Sequence, residues 1–304
     1  MSSSAIFRLL LLSAMWGGSF LFLRVAVPDF GPVFLIWLRV TLAALCLSPV
    51  LFRREIRLSL RQNFPGMMVM ASLGTAIPFC LLAYATLTLE AGLTAVINAM
   101  TPMFTMLVAL AWTGSRPGGW QLCGLLGGFA GVVVLSWDRL SFGRGGGGWG
   151  VLAALSATAC YGIALNFLKL RMPAAPAQAV TFGSMAGAAL LLTPLAWVAR
   201  PETPASVRSW ACVFLLAVVS TALAYLLFFR LIRQVSAVAA TSVTFLVPVF
   251  AFLWGALFLA EAINFRVIIG MLIAMAGTAM ALGIGQFRPA TPAGGSGKQT
   301  LREP

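Results

Sequence analysis

The 304-residue sequence contains no histidine and few charged side chains of either sign. Lys and Arg number 20, Asp and Glu only 7, and charged residues make up 9% of the chain, whereas a soluble domain carries about 25%. The absence of histidine excludes a metal site built on imidazole. Five cysteines without a CxxC pair fit small apolar positions in helices better than a disulfide framework. No phosphate-binding glycine loop is complete, so we predict no nucleotide site and no cofactor.

Long apolar runs take the place of the missing charge. Hydrophobic residues make up 61% of the chain, in runs of about 20 residues, which is the length of a membrane-spanning helix and too long for a barrel strand. We therefore predict an all-α membrane protein with ten transmembrane helices. The predicted spans are 7–27, 30–52, 65–87, 91–112, 119–137, 149–169, 177–199, 209–232, 236–258 and 264–284.

The two halves of the sequence repeat each other. An offset of 146 residues aligns Pro102 with Pro248 and Gly124 with Gly270, and an offset of 145 aligns Gly17 with Gly162 near the start of each half. Matched Pro and Gly carry weight because matched Leu or Ala are common in apolar sequence. Each repeat has five spans, an odd number, so the second repeat must enter the membrane from the opposite side. The predicted architecture is two inverted five-helix repeats.

The expected organisation follows from the repeats and the composition between them. The first repeat covers residues 1–137, a Gly-rich outer linker covers 138–148, and the inverted second repeat covers 149–285. A Pro-, Gly- and Ser-rich tail, 286–304, is predicted to be a disordered cytoplasmic segment. The first span has no small-residue cleavage site after it, so we expect it to be a permanent anchor.

The distribution of basic residues predicts the orientation. With the N-terminus in the cytoplasm, thirteen Lys and Arg fall in cytoplasmic segments and six in outer segments, as the positive-inside rule requires. We expect a multi-pass protein of the cell inner (plasma) membrane with both termini cytoplasmic. The net charge of +13 is explained by this sorting, so we expect no nucleic-acid partner. The expected partners are the lipid bilayer and a small-molecule substrate.

Small residues recur at helical spacing on the fifth and tenth spans. They are Gly124, Gly128 and Gly131, and then Gly270, Ala274 and Gly277. Such ladders allow two helix backbones to approach closely. The contact lies either within one monomer or between two copies, and we predict a monomer with a dimer as the alternative.

A polar stripe on the fourth span predicts part of a substrate site. Four residues share one helix face: Thr94, Asn98, Thr101 and Thr105. Asn98 stands four residues before Pro102, as Thr244 stands four before Pro248 in the second repeat. Proline removes a backbone hydrogen bond, so we expect the carbonyl of Asn98 to be free for a ligand. Helix–helix hydrogen bonding is the alternative for any single Ser or Thr.

Aromatic residues at repeat-equivalent positions predict the rest of the site. Trp16 aligns with Tyr161, Phe79 aligns with Tyr225, and all three tyrosines lie in the third, sixth and eighth spans. Aromatic faces with one polar group suit a partly apolar substrate, and an interfacial belt is the alternative, most of all for Tyr84 near the outer end of its span. The predicted substrate-binding residues are Trp16, Phe79, Tyr84, Asn98, Tyr161, Tyr225 and Thr244.

Charged residues inside the predicted spans are nearly absent. Arg39 lies in the middle of the second span, where we expect it to bond carbonyls or to line water, and Glu261 is expected to cap the connection between the last two spans. No Asp or Glu lies in mid-span, so proton coupling has no obvious carrier. We predict a uniporter or exchanger, with a proton-coupled drug/metabolite antiporter as the alternative. A lipid-modifying enzyme would need clustered acids or histidines, which are missing, and a channel or receptor scaffold is a further alternative.

Several short segments resemble the EamA family of the drug/metabolite transporter superfamily. They are Trp16-Gly17-Gly18-Ser19, Leu38-Arg39, the blocks Ala91 to Pro102 and Ala237 to Pro248, and Glu261. The resemblance covers residues 5–285. It implies a ten-helix secondary transporter that exports amino acids and other metabolites, with YddG-type aromatic amino-acid exporters as one candidate subtype. It also implies a cavity lined by the first, third, fourth, sixth, eighth and ninth spans.

Overall fold

A computed structural model of the chain describes residues 3–114, 116–143, 146–232 and 237–282. The predicted tail, 286–304, and residues 144 and 145 of the predicted linker lie outside these ranges. The described residues form helices and contain no strand. The helices are α1 (Ser3–Phe30), α2 (Pro32–Leu47), α3 (Arg54–Gln62), α4 (Phe64–Ala71), α5 (Ile77–Ala85), α6 (Ala91–Asn98), α7 (Thr101–Thr113), α8 (Gly119–Ser136), α9 (Gly148–Arg171), α10 (Ala177–Val198), α11 (Val207–Ala217), α12 (Ala224–Ile232), α13 (Ala237–Leu259) and α14 (Phe265–Ala281).

Within the described ranges, eight helical segments are long and apolar enough to cross a membrane. Some of these segments combine two helices, such as α4 with α5 (Phe64–Ala85) and α11 with α12 (Val207–Leu231). Two further apolar segments, Val243–Leu259 and Phe265–Ala281, are shorter. The all-helical, multi-pass membrane protein is thereby confirmed, while the count of ten spans stays a prediction.

One helix, α3, does not appear among the predicted elements. The charged stretch that begins at Arg53 folds as an amphipathic helix whose Ile56 is fully buried. Arg53 pairs with Glu55 at 2.8 Å and donates a hydrogen bond to Oε1 of Gln178 in α10. The stretch therefore packs one side against the protein and keeps its charges at a membrane face, where basic side chains can also meet lipid headgroups.

Backbone irregularities interrupt the spans at repeat-equivalent places. A π-helical turn at Ser72–Ala76 joins α4 to α5, and a second at Val218–Leu223 joins α11 to α12; the offset of 146 residues places one on the other. π-helical turns inside α-helices are rare and occur frequently at functional sites. The proline positions behave differently, because the fourth span breaks between Asn98 and Thr101 while α13 continues through Pro248.

Each repeat is packed into the other by equivalent contacts. A Cβ atom built on Gly17 of α1 would lie 2.7 Å from the Cβ of Phe250 and 2.9 Å from the backbone nitrogen of Ala251 in α13. A Cβ on Gly162 of α9 would lie 2.8–2.9 Å from the backbone of Phe104 in α7. Gly17 aligns with Gly162 and Phe250 with Phe104 in the repeat, so the same close helix crossing is made twice, both times between the repeats.

The small-residue ladders of α8 and α14 pack against each other. Gly131 of α8 lies against Ala274 of α14, and Gly277 lies against Gly128, with no room for a side chain at either glycine. The expectation of close helix packing is confirmed, and it occurs within one chain. These two faces are therefore covered and are not free to form a dimer contact.

The glycine crossing of α1 and α13 gives a test of this packing. We expect Gly17→Ala to destabilise the protein by about 1–3 kcal/mol, because the new methyl meets backbone atoms that cannot move aside. Gly18→Ala is the matched control, since its Cβ would make only ordinary contacts at 3.6 Å or more and helix propensity favours alanine by about 0.5–1 kcal/mol. Thermal unfolding in detergent micelles measures both, and equal midpoints for the two variants would contradict the close crossing.

Candidate substrate cavity

A cavity of about 1020 Å³ lies between the spans, at the upper end of the volumes usual for small-molecule sites. Its walls come from α1, α2, α4, α5, α6, α7, α9, α10, α12 and α13, together with the first π-helical turn. Both repeats therefore contribute to one site. Six of the seven predicted site residues line it: Trp16, Phe79, Asn98, Tyr161, Tyr225 and Thr244.

Two aromatic pairs form part of the walls, and each pair joins a ring of the first repeat to a ring of the second. The ring of Trp16 in α1 meets that of Tyr225 in α12 edge to face, with centroids 6.0 Å apart. Phe79 in α5 meets Tyr161 in α9 in the same manner at 6.5 Å. Phe228 adds a third ring, 5.5 Å from that of Trp16. Edge-to-face aromatic pairs hold their rings in fixed orientations, so the cavity walls are apolar and ordered.

Tyr84 is placed differently from the prediction. Its side chain is 44% exposed, and it does not line the cavity. It lies at the next-to-last position of α5, near the end of the span, where an amphipathic ring suits the boundary between membrane and water. The interfacial alternative therefore describes Tyr84 better than a role in the cavity wall.

The threonines of the fourth span form hydrogen bonds within their own span. The hydroxyls of Thr94 and Thr105 donate to the carbonyls of Glu90 and Thr101. The hydroxyl of Thr101 donates to the carbonyl of Asn98 at 2.7 Å, so the carbonyl that was expected to be free for a ligand is already bonded. Local side-chain bonding at the helix break satisfies it.

Within the fourth span, the side chain of Asn98 is a polar group that stays available. Its Oδ1 atom is buried and has no hydrogen-bond partner among the described residues, while the residue lines the cavity. A buried amide oxygen without a partner costs about 1–3 kcal/mol, and a ligand that donates a hydrogen bond would recover this free energy. Asn166 of α9, which also lines the cavity, is in contrast occupied, because its Nδ2 donates to the carbonyls of Thr105 and Gly162.

Arg39 of α2 also lines the cavity. The sequence left open whether this residue bonds carbonyls or lines water. The residue is only 7% exposed. Its Nε donates to the hydroxyl of Thr221 at 3.0 Å, and its guanidinium carbon lies 3.9 Å from the centroid of the Phe79 ring. Thr221 belongs to the second π-helical turn, whose geometry lets its hydroxyl reach both Arg39 and the carbonyl of Leu216.

The cavity reaches one end of the helices and is closed at the other. Lys169, Met172 and Pro173 line it at the end where α9 finishes, which we call the Lys169 face. At the opposite end, the Glu261 face, Arg24 donates hydrogen bonds to the carbonyls of Thr86 and Leu89 at 2.7 Å each. No described residue of 86–90 or 260–264 lines the cavity.

Glu261 has a different partner from the one expected. Instead of capping the adjacent helix, its carboxylate accepts a hydrogen bond from the backbone N–H of Ala91 at the start of α6, in the other repeat. It also forms an ion pair with Arg24 at 3.1 Å. Burial raises the pKa of Glu261, the Ala91 N–H and Arg24 act in the opposite direction, and nearby Glu90 raises it further. Glu261 thus joins the two repeats at the closed face.

The chain is similar to known transporters along both of its halves. The model of the EamA-like transporter family matches residues 3–137 and again residues 148–283. A Bacillus subtilis (strain 168) protein named "Uncharacterized transporter YvbV" is 26% identical over 265 residues, which cover 85% of each protein. A Streptantibioticus cattleyicolor protein named "Probable terminal-alkyne amino-acid exporter" is 23% identical over 256 residues, covering 83% of this chain and 86% of that protein.

A solved structure shares the fold. It is described only as "Crystal structure of protein", aligns with a TM-score of 0.63 and 20% identity, and covers 92% of this chain and 97% of its own. At this identity the likeness concerns the fold alone. Within the described residues, no three His, Cys, Asp or Glu side chains lie together in a way that could hold a metal ion.

The aromatic wall generates a prediction about ligand size. We expect Tyr225→Ala to weaken binding of L-phenylalanine several-fold, because one aromatic contact of about 0.5–1.5 kcal/mol is lost, and to leave L-alanine binding nearly unchanged. Tyr84→Ala is the matched control, since its ring does not line the cavity. Ligand-induced thermal stabilisation of the purified variants measures both effects. Equal losses for Tyr225→Ala and Tyr84→Ala would place the aromatic subsite elsewhere.

Proposed function

This chain belongs to the EamA-like transporter family, and we propose that it exports small amphipathic metabolites, with amino acids as the leading class, by alternating access. Members of the family are transporters and not enzymes, which agrees with the sequence-based prediction. The observation that carries the proposal is the cavity itself, which combines apolar aromatic walls with polar side chains that include Asn98 and Arg39. The name of the Streptantibioticus relative supports amino acids as the class.

Aromatic walls with few polar groups match an amino acid better than a sugar or an ion. A sugar presents hydroxyls on all sides and needs many hydrogen-bonding side chains, and an ion needs a shell of oxygens. This cavity is mostly apolar, with polar groups at a few places. An amino acid with an apolar side chain matches such a cavity, because its charged groups are confined to one small end of the molecule.

The repeats supply the two states that alternating access requires. We infer that they are inverted, because five spans per repeat reverse the direction of entry and equivalent glycine crossings occur in both halves. Arg24 aligns with Lys169 in the repeat. Arg24 is bonded at the closed Glu261 face, whereas Lys169 is exposed at the Lys169 face and lines the cavity. This difference between Arg24 and Lys169 supports the proposal of two related states, of which the one open at the Lys169 face is described.

We propose that the Lys169 face is cytoplasmic. This follows from the positive-inside distribution of charge and places both termini in the cytoplasm and the protein in the cell inner membrane, with ten spans in total. The protein would then load its substrate from the cytoplasm, as an exporter must. We propose a monomer as the working unit, because the α8 and α14 ladders pack on each other; a dimer through another face is the alternative.

The proposed mode of transport is uniport or exchange, without coupling to a proton gradient. The spans carry no Asp or Glu in mid-span among the described residues, and the cavity-lining residues include no acid. The alternative, a proton-coupled antiporter, is favoured by one observation. Glu261 is an acid with a raised pKa that links the repeats at the closed face, so a change in its protonation would act on the closure.

A flux assay tests the proposed function. Purified protein in proteoliposomes loaded with unlabelled L-phenylalanine is expected to take up labelled L-phenylalanine faster than unloaded proteoliposomes, because a carrier exchanges substrate across the membrane. An imposed pH gradient alone is expected to cause no accumulation. Protein-free liposomes are the control. Accumulation driven by the pH gradient alone would establish the antiporter instead, and no flux with any amino acid of a standard panel would refute amino-acid export.

Cysteine labelling tests the closed face and the orientation together. In a background without the five native cysteines, Ser184→Cys in the cavity should react with a membrane-impermeant thiol reagent from the Lys169 face. Adding Glu261→Gln should increase its labelling from the opposite face several-fold, because the amide loses the ion pair with Arg24. Glu202→Cys, exposed in the loop before α11, reports which face is outside. Labelling of Glu202→Cys only from the cytoplasm would reverse the proposed topology.

A further inference from the structure

We propose that Arg39 is the anion-binding residue of the cavity and holds the carboxylate of the substrate, an inference that rests on the proposed function and specifies its ligand. Arg39 is the eighth residue of α2, seven residues after Pro32, so it lies roughly 10 Å along the helix from its start. It is more than nine-tenths buried and borders the cavity. A positive charge is therefore fixed deep in the membrane beside a space large enough for a ligand.

The charge of Arg39 has no counter-ion in the described part of the chain. The acids described there are accounted for: Glu261, Glu55, Glu90 and Asp138 form ion pairs with other arginines, Asp29 is bonded by Ser206, and Glu202 lies in an exposed loop. An arginine stays charged in proteins, and an isolated charge away from water carries a large cost in free energy. A cationic cavity favours an anionic ligand.

The donors of the guanidinium are only partly used. Among the described residues, one bond is made, from Nε to Thr221, and the Phe79 ring covers one face of the group. These two contacts hold the plane of the guanidinium in one orientation and leave both Nη atoms without an acceptor in the part of the chain that the structure describes. Two Nη groups in a fixed plane match the two oxygens of a carboxylate, which arginine binds in a bidentate manner.

The other polar groups of the cavity complete an amino-acid site. Among the described residues, Oδ1 of Asn98 is an acceptor without a partner, which suits an ammonium group, and the rings of Tyr161 and Tyr225 line the same cavity. A zwitterionic α-amino acid carries one carboxylate and one ammonium group on the same carbon atom. The structure thus assigns the carboxylate to Arg39, the ammonium group to Asn98 and the apolar side chain to the aromatic rings.

The unusual backbone at Thr221 explains how Arg39 is held. In the π-helical turn Val218–Leu223 the hydroxyl of Thr221 donates to the carbonyl of Leu216, five residues earlier, and accepts from Nε of Arg39. The repeat equivalent of Thr221 is Thr75, which lines the cavity although Thr221 does not. Arg39 itself is not repeated, since the offset of 145 places Ser184 opposite it, so a single carboxylate site is expected and not a symmetric pair.

The test compares ligands that differ only in their charged groups. Thermal stabilisation of the full chain in lipid nanodiscs measures the binding of four probes: L-phenylalanine, 3-phenylpropanoate, L-phenylalaninol and inorganic phosphate. 3-Phenylpropanoate keeps the carboxylate and lacks the ammonium group. L-Phenylalaninol keeps the ammonium group and lacks the carboxylate. We expect the parent to bind the two carboxylates more tightly than the alcohol. Arg39→Gln should weaken binding of both carboxylates about ten- to a hundred-fold and change L-phenylalaninol binding little.

Two further variants make the result specific. Arg39→Lys keeps the charge and loses the planar pair of donors, so it should restore part of the affinity for carboxylates. Arg230→Gln removes an exposed arginine of α12 and should bind all probes like the parent. Size-exclusion profiles, together with unchanged L-phenylalaninol binding, show that Arg39→Gln is folded.

The outcomes separate this inference from the proposed function. If the parent exchanges L-phenylalanine in proteoliposomes and Arg39→Gln keeps its preference for carboxylates, the role of Arg39 is wrong and the function stands. If the parent binds 3-phenylpropanoate through Arg39 and transports no amino acid, the anion site stands and the function is wrong. Failure of both carboxylates to bind, or equal protection by inorganic phosphate, overturns the carboxylate assignment.

Discussion

Hydrocarbon supplies no hydrogen-bond partner, and this constraint determines most of what the chain does with its few polar groups. Polar side chains inside the spans bond the backbone of their own helix, as Thr94 and Thr105 do, bond a neighbouring helix, as Ser220 does to a carbonyl of α1, or face the cavity. The cavity holds two polar side chains that lack a full set of partners among the described residues. Asn98 and Arg39 remain incompletely bonded there, and in a membrane that condition is stable only beside water or a ligand.

Close packing between the repeats makes the cavity possible. At Gly17 and Gly162 the helices pack closely against the other repeat, and α8 and α14 do the same through their small residues. Because Gly17 and Gly162 directly follow Trp16 and Tyr161, these crossings fix the helices that carry two of the cavity-lining rings. The large rings fill part of the resulting space and leave the remainder for a small molecule.

The sequence predicts the helices well and the polar details less well. Span boundaries follow apolar run length, so those predicted agree with the described helices to within a few residues, except for α3, whose alternating charges have no long apolar run. The cavity-lining aromatics could be found because Trp16 with Tyr161 and Phe79 with Tyr225 recur in the repeat. Tyr84 has no such partner, and it lies outside the cavity. The partners of Asn98, Arg39 and Glu261 could not be predicted, because each depends on which helices become neighbours in three dimensions.

The two π-helical turns, Ser72–Ala76 and Val218–Leu223, change the direction in which the side chains that follow them point. Each holds one residue more than an α-helical turn would, and one residue corresponds to about 100° of rotation around a helix axis. The side chains after the turn therefore lie on a different side of the span from the one that they would occupy in an uninterrupted α-helix. Phe79 and Tyr225 both follow such a turn. Both rings line the cavity, so the turn in each half determines which side of its span faces the space between the helices.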